Sequence, residues 1–283
     1  MKPRVLLTGG GGMLALDLKP RLEAAGYEVV APKKAQLDIT QAGHVSAILA
    51  TLKPQAIFNC AAFTKVDLCE TDPLAAAVND AAVGNLAEAC RAAGVRLVHV
   101  STDFVFGGEK REPYREEDEA APLSAYGRTK RGGEIRALAL PGALVVRGSW
   151  LFGNRGPNFV EAILKQADAG KRSLRVVTDQ AGRPTATTDL AEALVELYRI
   201  GAEGIVHFAN AGEVTWNEFA REILRKAGHT DVDVVPITSE ELNRPARRPA
   251  YSVLSTGKYE KLTGMKPRDF REPLAEYLER RRP

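Results

Sequence analysis

No stretch of the 283-residue chain approaches the length of a membrane span, although 45% of it is hydrophobic, so nothing in it is expected to cross a bilayer. The basic start MKPRVLLTGG holds an apolar run of only Val5 to Leu7, too short for a signal-peptide core, and a cytoplasmic location is expected. Cysteine is scarce. Cys60, Cys69 and Cys90 are odd in number and lack paired metal spacing, which argues against a disulfide framework or a zinc site and leaves small, reduced, apolar residues. The histidines, His44, His99, His207 and His229, are scattered without ligand spacing, and no carboxylate pair suggests magnesium, so no metal is expected. A net charge of only +3, with bases interspersed among acids, does not imply nucleic acid as a partner. Two basic clusters stand out, the run RPARRP from Arg244 to Pro249 and the terminal RRRP, and clusters of that size suit a small anionic ligand.

What the chain has is alternation. The runs RVLLT (4–8), EVVA (28–31), AIFN (56–59), RLVHVS (96–101) and ALVVR (143–147) read as strands buried on both faces. Helix-like segments separate them: Met13 to Ala25, Gln41 to Leu52, Pro73 to Ala93 and Ser124 to Leu140. Such alternation implies right-handed crossovers and a parallel sheet, an α/β doubly wound (Rossmann) domain over residues 1–150. Beyond Arg147 the pattern loosens. A loop over 152–158 leads to a helix from Phe159 to Gly170, a strand at 174–178, a helix from Thr187 to Arg199, a strand at 204–209 and a helix from Trp216 to Ala227. A short strand at 232–237, an Arg/Pro-rich loop and a helix from Glu272 to Arg282 follow. Residues 151–283 are expected to form mainly a smaller substrate-binding lobe, with elements around 174–210 returning to the sheet.

The stretch TGGGGMLA (8–15) follows the first strand and opens the first helix. Gly9, Gly12 and Ala15 are spaced for a turn without Cβ atoms, followed by a helix N-terminus whose free N–H groups suit a pyrophosphate. A carboxylate ending the second strand would bind the ribose hydroxyls; Pro32, Lys33 and Lys34 stand there instead, and two cations favour a 2'-phosphate, hence NADPH with NADH as the alternative. Asp38 and Ile39 could lie against adenine. In PLSAYGRTKRGGE (122–134), Tyr126 and Lys130 are one helical turn apart, on one face. The pair alone is commonplace on a solvated helix.

Joined to the glycine turn, NCAAFTKVDLCE (59–70), HVSTDFVFGG (99–108), VVRGSWLFG (145–153), DQAGRPT (179–185) and RRPAYSVLST (247–256), it resembles the extended short-chain dehydrogenase/reductases, and most closely their nucleotide-sugar reductases. That resemblance implies Gly9, Gly12 and Met13 at the pyrophosphate, Asp38 and Ile39 at adenine, and Cys60, Ala61 and Ala62 beside the nicotinamide ribose. It makes Thr102, Tyr126 and Lys130 the catalytic set. Tyr126 would give its proton to the ketone oxygen as hydride arrives, Lys130 would lower the phenol pKa and hold the ribose, and Thr102 would add a hydrogen bond. Thr64, Asp67, Asp103, Phe104 and Trp150 would line the sugar pocket, with Arg247 and Arg248 clamping a diphosphate. The implied reaction is reduction of the C4 ketone of a dTDP-6-deoxyhexulose. Phe104 stands where the family often carries a tyrosine, and Ala15 replaces a glycine. A nucleotide-sugar epimerase or dehydratase with tightly held NAD, or a non-catalytic NADP-binding regulatory subunit, remains an alternative; a homodimer is left open.

Overall fold

The computed structural model describes residues 2–281, so the expected helix end at Arg282 lies outside the described residues. Six strands form the central sheet: β1 (Arg4–Thr8), β2 (Glu28–Val30), β3 (Ala56–Asn59), β4 (Arg96–Thr102), β5 (Leu144–Gly148) and β10 (Gly204–His207). All neighbours are parallel, in the order β10-β5-β4-β3-β1-β2. The direction of winding reverses between β1 and β3, and at the carboxyl ends of those strands a doubly wound sheet opens its ligand crevice.

Helices cover both faces because the strands are apolar on both. On one side α1 (Met13–Ala24) and α7 (Thr187–Arg199) bury Leu14, Leu18, Leu22, Leu190, Leu194 and Leu197 against the sheet. On the other lie α2 (Ala42–Leu52), α4 (Ala82–Ala93) and α5 (Ala125–Leu138). Ahead of α4 come the single turn α3 (Leu74–Ala76) and a π-helical turn, Ala77–Ala81, where the expected helix from Pro73 to Ala93 is widened. Asn79 accounts for the widening: its amide accepts from Phe63 N at 2.8 Å and donates to Phe63 O at 3.0 Å.

The chain leaves the sheet after β5 and returns for β10. Outside it, β6 (Leu151–Phe152) pairs with β9 (Thr185–Ala186), β7 (Ser173–Val177) with β12 (Asp233–Ile237), and β8 (Ala181–Gly182) with β11 (Val214–Thr215). Of the elements expected to return to the sheet, β10 does so and β7 does not; its partner is the still later β12. Helices α6 (Phe159–Asp168), α8 (Trp216–Ala227) and α11 (Arg271–Arg281) enclose a second core around Phe152, Phe219 and Phe270. Short α9 (Ser239–Leu242) and α10 (Gly257–Thr263) complete the chain. Among the described residues no helix is long and apolar enough to cross a membrane.

Candidate active site

The crevice predicted by the winding reversal is a cavity of about 360 Å³ lined by Gly9, Gly12, Lys33, Asp38, Ile39, Cys60, Ala61 and Ala62, among others. Its floor needs glycine. Gly9 sits at φ 69°, and a Cβ there would lie 2.8 Å from Ala61 N; one on Gly10 would lie 2.3 Å from the Ala31 carbonyl oxygen. Helix α1 begins at Gly12 with no side-chain cap, whereas Ser124 Oγ caps α5 and Asn158 caps α6, so the first N–H groups of α1 stay available to an anion. Lys33 and Lys34 border the same space, and a dinucleotide with an extra phosphate fits this donor set. Asp38 accepts from Thr40 N and Oγ1 at 3.0 and 2.8 Å, which holds its carboxyl below the ordinary value. Met13 differs from expectation. Its side chain turns to Gly153, Gly156 and Asn158 and does not line the cavity, leaving its backbone N–H as what it can offer.

Helix α5 links this cavity to a second. Tyr126 packs edge-to-face on Phe104, ring centroids 5.6 Å apart, and Phe104 lines a cavity of about 330 Å³ with Trp216, Gln180, Arg244 and Arg248. One turn on, Lys130 is buried and donates to Val100 O at 2.6 Å. Burial pulls its ammonium down to about 8 against the opposing field of Glu134. The expectation that Lys130 lowers the Tyr126 phenol is not met. Burial pushes the phenol well up, the negative charge of Asp103 adds to that, and a hydrogen bond with Thr102 only partly offsets it. Tyr126 therefore stays protonated, as a proton donor must.

Thr102 ends β4. Its hydroxyl donates to Asp103 Oδ1 at 3.0 Å and accepts from Phe104 N at 3.2 Å. Asp103 is 2% exposed, its Oδ2 has no partner in good hydrogen-bond geometry, and burial raises its carboxyl to about 6, partly offset by the neighbouring Ser252 and Thr102 hydroxyls. Cys60, by contrast, is neutral, burial lifting the thiol to about 12.

The remaining expected contacts divide. Arg248 Nη1 donates to Asp67 Oδ1 at 2.7 Å and Arg244 Nη1 to Asp67 Oδ2 at 3.1 Å, so Asp67 is partner to the arginines across the two halves of the chain. Of the expected pair, Arg248 lines the Phe104 cavity together with Arg244, while Arg247 faces an adjoining cavity of about 470 Å³ that Arg244 and Arg248 also line. Thr64 is exposed and borders neither. Trp150, expected opposite Phe104, is not among the residues lining the Phe104 cavity. It stacks on Trp216 with centroids 3.5 Å apart and planes 5° apart, and it is Trp216 that forms the wall. Gly182 explains the DQAGRPT motif, since a Cβ there would lie 2.4 Å from the Trp150 ring. Sequence alone signalled Trp216 only as the residue opening a helix.

A doubly wound sheet, a glycine-floored crevice at its winding reversal, and a half-buried Tyr126 with the buried Thr102 and Lys130 beside it define an extended short-chain dehydrogenase/reductase. The chain belongs to the RmlD substrate binding domain family, which matches residues 2–282. It is 43% identical to a dTDP-4-dehydrorhamnose reductase from Streptomyces griseus, over 97% of this chain and 93% of that one. It is 41% identical to the spore coat polysaccharide biosynthesis protein SpsK of Bacillus subtilis, over 98% of each. Among solved structures, the dTDP-4-dehydrorhamnose reductase of Bacillus anthracis in complex with NADP superposes with a TM-score of 0.94 at 34% identity, covering 99% of this chain and all (100%) of that one.

Proposed function

We propose that the chain is a cytoplasmic reductase that converts the C4 ketone of dTDP-4-dehydro-6-deoxy-L-mannose to the alcohol of dTDP-L-rhamnose. The observation that carries this reading is the placement of α5, whose Tyr126 packs on Phe104 in the wall of one cavity while Lys130, one turn on, is buried and seated on Val100 O of β4. Gly9, Gly12, Lys33 and Lys34 would hold NADPH, which would supply the hydride.

The residues of the chain do the rest. As charge gathers on the C4 oxygen, Tyr126 transfers its phenolic proton, which burial keeps in place until an oxyanion is there to take it. Lys130, buried one turn on and seated on Val100 O, would hold the nicotinamide ribose when the cofactor is bound. Thr102 has one hydroxyl proton, and it is committed to Asp103, so Thr102 becomes a donor to the substrate oxygen when Asp103 yields that bond. The apolar Phe104 and Trp216 enclose the nucleotide-sugar side, and Arg244 and Arg248 supply paired donors that match phosphate oxygens.

The test is loss of NADPH absorbance with the dTDP-4-ketosugar generated in situ, beside its UDP analogue and an NADH control. Rapid oxidation that needs the dTDP sugar supports the reading. A purified chain that carries tightly bound NAD and shows no sugar-dependent oxidation would point instead to epimerase or dehydratase chemistry.

A further inference from the structure

Helix α5 carries a second fully buried charge that the reaction above does not use. Glu134, one turn beyond Lys130, is 0% exposed, and Arg147 on β5 is 1% exposed. Arg147 Nε and Nη2 donate to the two oxygens of Glu134 at 2.7 Å each. Arg131 adds a third contact at 2.9 Å. The remaining arm, Arg147 Nη1, lies 3.2 Å from His207 Nε2, and His207 Nδ1 lies 3.1 Å from the Tyr114 carbonyl oxygen. A guanidinium can only donate, so Nε2 accepts and the ring proton sits on Nδ1, donated to Tyr114. His207 is thus neutral, burial and Arg147 pushing its pKa down to about 3. Every arm of the guanidinium is engaged, and its face lies over Phe106 at 4.9 Å. A buried ion pair contributes little net stability compared with apolar residues of the same volume, so stability alone does not account for it.

We propose that Glu134 is a positioning residue for Lys130: clamped by Arg147, it fixes a negative charge one helical turn from the ammonium and keeps Lys130 charged and seated on Val100 O. The other groups around Lys130 do not supply that charge. From β4, His99 is held neutral by burial; from the loop after β3, Cys60 is an uncharged thiol. Asp103, in the turn after β4, spends its field on Tyr126. Asp80 of the π-helical turn and Glu70 of the 68–70 turn are partly exposed, so water as well as Arg136 and Arg128 screens them, whereas Glu134 is fully buried. The inference rests on the reductase reading for its kinetic arm only.

The experiment compares wild type with the Glu134→Gln/Arg147→Met double variant, which leaves no uncompensated buried guanidinium, and with Glu134→Asp. Two readouts are taken against pH: kcat, and the side-chain titration of Lys130 by NMR of lysine-labelled protein with NADP bound, assigned through Lys130→Arg. The double variant is expected to move both the alkaline limb of kcat and the Lys130 titration at least ~0.5 pH unit lower, with a loss of ~twofold or more near pH ~8 and a smaller loss near pH ~6. Glu134→Asp is expected to fall between. An unchanged Lys130 titration in whichever variant folds, or a loss of activity equal at every pH, overturns the proposal and leaves the pair a structural clamp. If wild type itself shows no turnover the reductase reading fails, while the NMR titration still decides the role of Glu134.

Discussion

Asp103 gives the sharpest quantitative expectation. Its carboxyl is raised from an ordinary 3.8 to about 6, chiefly by burial, at 2% exposure. That gap is a factor of ~150 in proton affinity between folded and unfolded chain, or ~3 kcal/mol. The folded state binds the proton more tightly. The stability contributed by this group is therefore complete below about pH 4 and is lost as pH rises to about 6, after which it stays constant. Asp103→Asn removes the titration but keeps an oxygen to accept from Thr102. Its amide hydrogens then occupy the place of the unpartnered Oδ2, a pH-independent cost of ~1–3 kcal/mol. The unfolding free energy of wild type minus that of the variant should thus fall by ~2.5 kcal/mol between about pH 4 and pH 7, whatever its absolute value. Urea unfolding followed by far-UV circular dichroism across that range reads the difference. A difference that stays flat with pH would show that Asp103 is solvated or paired in a way this geometry lacks.

Three further outcomes follow from the site. Tyr126→Phe should lower kcat by ~100-fold or more while the NADPH dissociation constant changes less than ~3-fold, because only the proton is removed; stopped-flow turnover with fluorescence titration checks both. Gly9→Ala should abolish measurable NADPH binding and cost ~1–3 kcal/mol of stability, since φ is 69° and the Ala61 backbone is in the way; calorimetric binding and thermal unfolding test it. Replacing both Lys33 and Lys34 with Glu should raise the NADPH KM by ~10-fold or more and leave that for NADH within ~3-fold, and equal changes for the two cofactors would place the 2'-phosphate elsewhere.

The alternation of strands and helices was legible because strands buried on both faces are continuous apolar runs, and α7 and α8 fall on the expected residues, Thr187–Arg199 and Trp216–Ala227. What could not be read depends on distant partners. Pairs of two-residue strands such as β6 with β9 have no periodicity, and the π-helical turn exists because Asn79 reaches Phe63, sixteen residues back (|i−j|=16). In the site, the motif residues of the nucleotide cavity came together, Met13's side chain excepted, because the cavity is built from local turns. The sugar side was less legible. The bond from Arg248 to Asp67 spans a sequence separation of 181, and the ring facing Phe104 is Trp216 because Trp150 turns away to stack on it. Likewise the raised Tyr126 phenol reflects burial, which residue spacing does not record.

The late return of β10 has a consequence for synthesis. A nascent chain that has emerged through β5 holds the nucleotide crevice complete in its turns, yet Val145 and Val146 sit on an open strand edge until His207 has left the ribosome. Through that interval the chain must also make the whole of α6 and β7, elements whose own core closes only with α8, β12 and α11. The cofactor crevice is therefore laid down early and left sticky at its far side while roughly the ~60 residues from the end of β5 to the end of β10 are made, a few seconds' duration. For the same reason a fragment ending after β5 should aggregate rather than serve as a small dinucleotide binder, and one running through β10 is the shortest that closes the sheet.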